Sequence, residues 1–165
     1  MALTEEEQKK ARLKAMRLLE HMDRTEKGLA DRLKQEGFSG EAIQDAMDYV
    51  KSFGYINDVR YAQHYISYRL GIKSKQMILQ ELARKGISRE TALTAWEEAE
   101  ELEEHDEKAL LRRTIEKKYA PGTILDDKEM RRLYAYLARR GFRSGDIFSV
   151  LDELEITSAR DNWEE

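Results

Sequence analysis

The sequence predicts an all-α fold, a tandem array of three three-helix units forming an elongated, curved molecule, and three observations carry that prediction. The 165 residues include a single Pro and 38% charged side chains, and they hold long stretches without β-branched runs, a composition that favours helices over sheets. One phrase is written three times, as Leu33-Lys34-Gln35-Glu36-Gly37-Phe38, Leu82-Ala83-Arg84-Lys85-Gly86-Ile87 and Leu137-Ala138-Arg139-Arg140-Gly141-Phe142. In each copy a leucine stands four residues before a glycine and a large apolar residue follows it. That is the pattern of a helix C-terminus, where the glycine takes the left-handed conformation and the next residue packs back on the last turn. The glycines lie 49 and 55 residues apart, and Ile43, Ala92 and Ile147 follow them at one common offset, which makes the phrase an internal repeat. The function of such an array belongs on a composite surface rather than in a single pocket.

The first unit, residues 1–56, opens with Thr4 and Glu7 at capping-box spacing. It runs through Leu13, Met16, Leu19 and Met22 at helical intervals, turns at Asp23 to Thr25, and continues as a second helix to Glu36. Ser39 caps its third helix, which carries Ile43, Ala46, Met47 and Val50. The second unit, residues 57–104, begins at the capping pair Asn57-Asp58, ahead of a helix over 59–72. A middle helix follows Ser74 with Ile78, Leu79 and Leu82 inward, and a third follows Ser88 with Ala92, Ala95, Trp96 and Ala99. The third unit, residues 105–165, places Ala109, Leu110, Ile115 and Tyr119 on a helix that ends at Ala120-Pro121-Gly122-Thr123, because Pro cannot continue it. Asp126 and Glu129 start the next helix, with Met130, Leu133, Tyr134 and Leu137. A last helix holds Ile147, Val150, Leu151 and Leu154 before a frayed tail to Glu165.

Several function classes are excluded at once. The absence of Cys removes disulfides, thiol nucleophiles and cysteine-ligated metals. No apolar run approaches the roughly 18 residues of a membrane span, and the N-terminus is acidic where a signal peptide is basic, so the chain reads as cytoplasmic. His21, His64 and His105 are scattered, no paired-carboxylate spacing or phosphate-cradling glycine loop occurs, and Glu100, Glu101, Glu103 and Glu104 read as a solvated helix face rather than as metal ligands. The sequence offers no catalytic residue, no metal site and no cofactor site.

Charge is segregated along the chain. Residues 57–90 carry seven Lys/Arg against three acids and residues 107–154 eleven against eight, while residues 97–106 hold seven acids and no Lys or Arg. The helix-Gly-helix phrase resembles the turn of a helix-turn-helix DNA reader. The helices after the glycine, however, present Glu41, Asp45 and Asp48, then Glu90, Glu97 and Glu98, then Asp146, Asp152 and Glu153, carboxylates that phosphates repel. The basic residues lie on first and middle helices instead: Arg60, Arg69, Lys73, Lys75, Arg84 and Lys85 in the second unit, and Arg112, Arg113, Lys117, Lys118, Arg131, Arg132, Arg139, Arg140 and Arg143 in the third. On one face they would make a basic track for an anionic groove or strand, nucleic acid or acidic protein. Arg84, Lys85, Arg139 and Arg140 are also placed to satisfy helix C-termini. Tyr61, Tyr65 and Tyr68, spaced four and three apart, fit core packing better than base stacking.

In the second unit the residues become specific. Gly54-Tyr55-Ile56-Asn57-Asp58, Arg60-Tyr61-Ala62, Tyr65 and Arg69, then Ile78, Gln80-Glu81-Leu82 and Lys85-Gly86-Ile87-Ser88-Arg89-Glu90 resemble the core signature of the bacterial RecX regulatory proteins. The resemblance is strongest over residues 54–90 and extends more weakly over most of the chain. It implies a monomeric, non-catalytic modulator of the RecA recombinase that binds the recombinase and its nucleoprotein filament on single-stranded DNA. Such a protein suppresses filament growth, ATP hydrolysis and strand exchange, and uses no cofactor. Carried onto this chain, Arg60, Arg69, Lys73 and Lys85 are the first contact candidates, with Arg60 equally able to pair with a neighbouring carboxylate. Asp58 becomes a helix cap, Gly54 and Gly86 turn residues, and Tyr55, Tyr61 and Tyr65 core, while Gly37, Leu82 and Gly141 belong to the repeated phrase. Two departures stand out. Position 57 is Asn where an acidic residue is common, and the first unit, with ten Lys/Arg against eleven acids, has no basic face. The alternative is a non-catalytic protein that binds nucleic acid directly, through the basic track or a helix-turn-helix.

Overall fold

A computed structural model of the chain describes residues 2–160. Short polar side chains start the helices within it. Thr4, Thr25, Ser39, Asp106 and Asp126 stand in extended backbone just ahead of α1 (Glu5–His21), α2 (Glu26–Gln35), α3 (Gly40–Ser52), α7 (Glu107–Glu116) and α8 (Asp127–Arg139), and each accepts a hydrogen bond from a first-turn N–H. Ser74 and Ser88 do the same for α5 (Lys75–Arg84) and α6 (Arg89–Leu102). The remaining described helices are α4 (Asp58–Arg69) and α9 (Ser144–Glu153), and two short strands, β1 (Ile124–Leu125) and β2 (Thr157–Ser158), pair in parallel. Asp126 and Glu129 complete a capping box. Thr4 and Glu7 form half of one, because the Glu7 carboxylate accepts from the Ser39 N–H instead.

Packing groups the chain into two compact bodies, Met1–Tyr68 with Leu79–Leu102, and Arg69–Ile78 with Glu103–Glu165. In the first body α1 lies against α3 through small side chains: Ala11 and Ala15 on one, Ala42 and Ala46 on the other, all fully buried with Leu29, Leu33 and Val50. Met16 and Leu19 pack partly against this core, while Leu13 lies off the inward face and Met22 just past the helix end. Leu13 and Met22 are exposed, and the alanine face, which allows the closer helix approach, takes the interior. Trp96 is fully buried on α6. The core of the second body gathers Leu110, Leu111 and Ile115 of α7, Leu133 and Leu137 of α8, and Ile147, Val150 and Leu151 of α9, closed by Leu125, Phe142, Leu154 and Ile156.

The repeated phrase folds identically three times. Phe38, Ile87 and Phe142 donate their N–H to Leu33, Leu82 and Leu137 carbonyls, and Gly37, Gly86 and Gly141 donate to Lys34, Ala83 and Ala138, the two bonds of a Schellman motif. The glycine φ values are +91°, +90° and +88°.

Two buried polar side chains, Thr25 and Ser74, join successive repeats. Thr25 accepts from the Gly28 N–H at 3.0 Å and donates its hydroxyl to the Lys85 carbonyl at 2.6 Å. Ser74 accepts from the Met77 N–H at 3.1 Å and donates to the Arg140 carbonyl at 2.6 Å. A carboxylate completes each joint. Asp58 accepts from the Glu26 N–H at 2.9 Å, and Glu107 from the Lys75 N–H at 3.3 Å. The N-terminus of one middle helix thus seats on the C-terminal turn of the next, with a carboxylate at the positive end of the seated helix. No side chain fits beneath it. A Cβ on Gly86 would lie 2.4 Å from Lys27 Cβ, and one on Gly141 2.6 Å from Ser74 Oγ. The first joint lies within the first body and the second joint within the second.

The structure revises several expectations. Asp58 does not cap its own helix. Asn57 accepts from the Arg60 N–H at 3.1 Å, freeing Asp58 for the joint, where burial pushes its carboxyl above the usual range against the pull of the Glu26 N–H. Helix α4 stops at Arg69, short of Ile72, as the chain turns through Gly71 at φ +78°. Tyr119 lies just past α7. Residues 155–160 are not frayed: Ile156 is buried, its N–H bonds the Leu151 carbonyl, and Thr157 and Ser158 pair with Ile124 and Leu125. The rest of the expected tail, residues 161–165, lies outside the described residues.

Candidate partner-binding surface

Sorting the predicted cations by what they touch separates those that hold the fold from those that face solvent. Arg112 pairs with Glu153 at 2.5 Å and Arg113 donates to the Gly71 carbonyl at 3.0 Å, so both tie elements of the second body together. Arg69, Lys73 and Lys75 are likewise engaged rather than free. In the first body, Lys85 supplies the joint carbonyl and sets its ammonium 5.7 Å over the Tyr65 ring. Arg60 is exposed, with a long 3.4 Å contact to the Gly54 carbonyl, and Arg84 is exposed without an ion pair among the described residues.

The second body assembles the densest set. Lys117, Arg131, Arg132 and Arg139 are exposed and make no ion pair among the described residues. Arg132 and Arg139 are seven residues apart on α8, which places both on one face about 10 Å apart along the axis, with Lys128 on the same stripe. Leu133 and Leu137 anchor the opposite face. Beside this stripe, Tyr136 is half-buried between two cations, Lys118 Nζ at 4.1 Å and Arg140 at 4.7 Å from its ring centre. Sequence reasoning missed Tyr136, although its position four residues before Arg140 was the available signal. The ring contacts hold two long side chains on this surface, so the patch presents localised positive charge to an anionic partner.

Acidic residues bear on the same question. Asp45 is not a solvated residue of α3, because Arg12 binds it at 2.8 Å and Gln8 at 2.9 Å, and these bonds, the Arg12 bond foremost, hold its carboxyl below the usual range. Glu41, Asp48, Glu90, Glu97, Glu98, Asp152 and Glu153 remain exposed on the helices that follow the repeated glycines. Those helices therefore present carboxylates where a helix-turn-helix reader presents donors.

The tyrosines divide. Tyr65 is buried and its hydroxyl donates to Glu81, and Tyr61 stacks on it at 6.0 Å while half-buried. Tyr55 and Tyr68 are exposed, 46% and 78% accessible, so neither is core. The inward stripe of α4 is Ala62, Tyr65 and Ile66, and Tyr68 falls about 60° outside its edge at Tyr65, while Tyr55 stacks on Phe53 in the preceding turn at 5.5 Å. Among the described residues no cluster of His, Asp or Glu could hold a metal, and no helix is long and apolar enough to cross a membrane.

The chain is similar to known proteins over most of its length. Models of the first, second and third three-helix domains of RecX match residues 11–49, 57–95 and 106–151. The regulatory protein RecX of Caldanaerobacter subterraneus subsp. tengcongensis is 33% identical over 147 residues, spanning 88% of this chain and 71% of the relative. That of Clostridium perfringens strain SM101 is 31% identical over 156 residues, covering 91% and 71%. The crystal structure of RecX from Lactobacillus salivarius superposes with a TM-score of 0.67 at 21% identity, covering 92% of this chain and 99% of that one. A second RecX crystal structure gives 0.70 at 20% identity, covering 92% and 81%.

Proposed function

The chain belongs to the RecX family of regulatory proteins, and from that premise we propose that it binds the RecA recombinase and its nucleoprotein filament and inhibits filament growth, ATP hydrolysis and strand exchange. The observation that carries the reading onto particular residues is the α8 surface of the second body. Its exposed guanidinium groups, at Arg131, Arg132 and Arg139, make no ion pair among the described residues, and the clamped cations of Lys118 and Arg140 flank them. Positive charge left unpaired among the described residues, on a chain of net charge -4, suits an external anion, here the acidic groove or DNA of a filament. The repeats act as scaffold, with no reacting group required, and Arg60 and Arg84 are the contact candidates on the first body.

The three-residue variant Arg131→Glu, Arg132→Glu, Arg139→Glu tests this assignment. All three side chains are exposed on one element, so the variant keeps its helical circular dichroism while its inhibition of DNA-dependent ATP hydrolysis falls at least tenfold. Full inhibition by the variant removes α8 from the contact surface. Tight binding to single-stranded DNA alone, falling steeply with salt, would instead identify direct nucleic-acid binding as the activity.

A further inference from the structure

Three repeats held by two joints leave one receiving turn exposed, that of α2. Its backbone is preformed: Gly37 has the same φ as Gly86 and Gly141, and the same pair of Schellman bonds closes the turn. The Glu36 carbonyl occupies the position from which the Lys85 and Arg140 carbonyls accept a buried hydroxyl. Among the described residues it accepts no hydrogen bond, and a Cβ on Gly37 would meet nothing within 4 Å.

The carboxylate of the joint is present as well. Asp58 and Glu107 each stand four and eight residues before fully buried positions, Ala62 and Ile66 in one case, Leu111 and Ile115 in the other. Glu7 holds that register before Ala11 and Ala15. Its carboxylate rests on the Ser39 N–H at 3.2 Å. Charge differs in one informative way. The internal receiving turns carry Lys85 and Arg140, whose cations are drawn off over tyrosine rings. The exposed turn carries Glu36, held at 3.2 Å by Arg32 and 3.6 Å by Lys14. With Glu36 offset by Arg32 and Lys14, the Glu7 carboxylate and the negative end of α2 stand beside a seat whose internal copies each receive the positive end of a helix.

We propose that the C-terminal turn of α2 is a docking site for the N-terminus of a helix in a partner protein, one that carries Ser or Thr at its N-cap to donate to the Glu36 carbonyl. A second copy of this chain does not supply that group through its matching end. The N-cap of α8 is Asp126, which only accepts, and both its own bond and that of Glu129 are used in the capping box. This proposal goes beyond recombinase binding and does not depend on it.

The test is amide NMR of the full chain titrated with a lactam-bridged helical peptide bearing Ser at its N-cap, and with the same peptide bearing Ala. The Ser peptide shifts the Glu36, Gly37 and Phe38 amides saturably, and the Ala peptide binds about fivefold more weakly, as loss of one such hydrogen bond requires. Gly37→Ala, which adds the methyl that crowds both internal joints at 2.4–2.6 Å, removes the response. Equal affinity for the two peptides, or shifts confined to other residues, would overturn the proposal. Concentration-dependent shifts of the same three amides without peptide would overturn it too, by making a second copy the occupant. Neither recombinase nor DNA is in the sample, so the outcome leaves the proposed inhibition untouched.

Discussion

Gly37 and Gly141 form a matched pair for measuring what a repeat joint contributes, since they share a backbone conformation, φ +91° and +88°, and differ in what faces them. Replacing Gly37 by Ala incurs the left-handed penalty alone, about 1–2 kcal/mol, because open space surrounds the new methyl. Replacing Gly141 by Ala incurs the same penalty and drives a Cβ to 2.6 Å from Ser74 Oγ and 3.1 Å from the Met77 nitrogen. Relieving that overlap breaks the buried hydroxyl bond to the Arg140 carbonyl, worth about 1–3 kcal/mol once its partners are left unsatisfied, and displaces the N-cap of α5. The expected gap between the two variants is therefore about 2–3 kcal/mol, or roughly 1 M in a urea midpoint at a slope near 2 kcal/mol/M. Urea unfolding followed by helical circular dichroism measures it. Gly86→Ala belongs with Gly141→Ala, because its neighbour is Lys27 Cβ at 2.4 Å, too close to the backbone to swing aside. Equal destabilisation at positions 37 and 141 would refute the joint as a source of stability.

Two further outcomes follow from particular residues. Helix α9 ends with Glu155 at φ +55° in the same two-bond motif that Gly54 provides after α3, so Glu155→Gly raises stability by about 1 kcal/mol, and a loss on the same unfolding assay would contradict the assignment. Asp45, held below the usual carboxylate range by Arg12 and then Gln8, contributes stability that is complete above its unfolded value of about 3.9 and is lost as pH falls through its lower folded value. The stability difference between wild type and Asp45→Asn is accordingly flat near neutrality and shrinks below about pH 4, whereas a difference that grows on acidification would reverse the sign of the argument.

The helical repeat was legible because its signals are local. A leucine four residues before a glycine, and a hydroxyl or carboxylate ahead of an apolar stripe, fix a helix end through backbone hydrogen bonds that reach no further than one turn. What escaped is what depends on partners distant in sequence. Asp58 looks like the cap of its own helix until Asn57 is seen to take that bond, and Thr25 and Ser74 look like ordinary N-caps until their hydroxyls reach carbonyls 60 and 66 residues away. The inward face of α1 depends on a distant partner too. Leucine and methionine outrank alanine in hydrophobicity, yet Ala11 and Ala15 face α3 because small side chains permit the closest approach. On the candidate surface, charge was visible and pairing was not. Arg112 and Arg113 read as equivalent to Arg131 and Arg132, and only the fold shows the first two bound to Glu153 and Gly71.

Inhibition of a recombinase filament by this helical scaffold is open to direct measurement. Its most direct test is the steady-state rate of DNA-dependent ATP hydrolysis by filaments pre-formed from purified RecA on single-stranded DNA. The protein is expected to lower the rate at substoichiometric ratios to the recombinase. An unchanged rate at equimolar protein would contradict it.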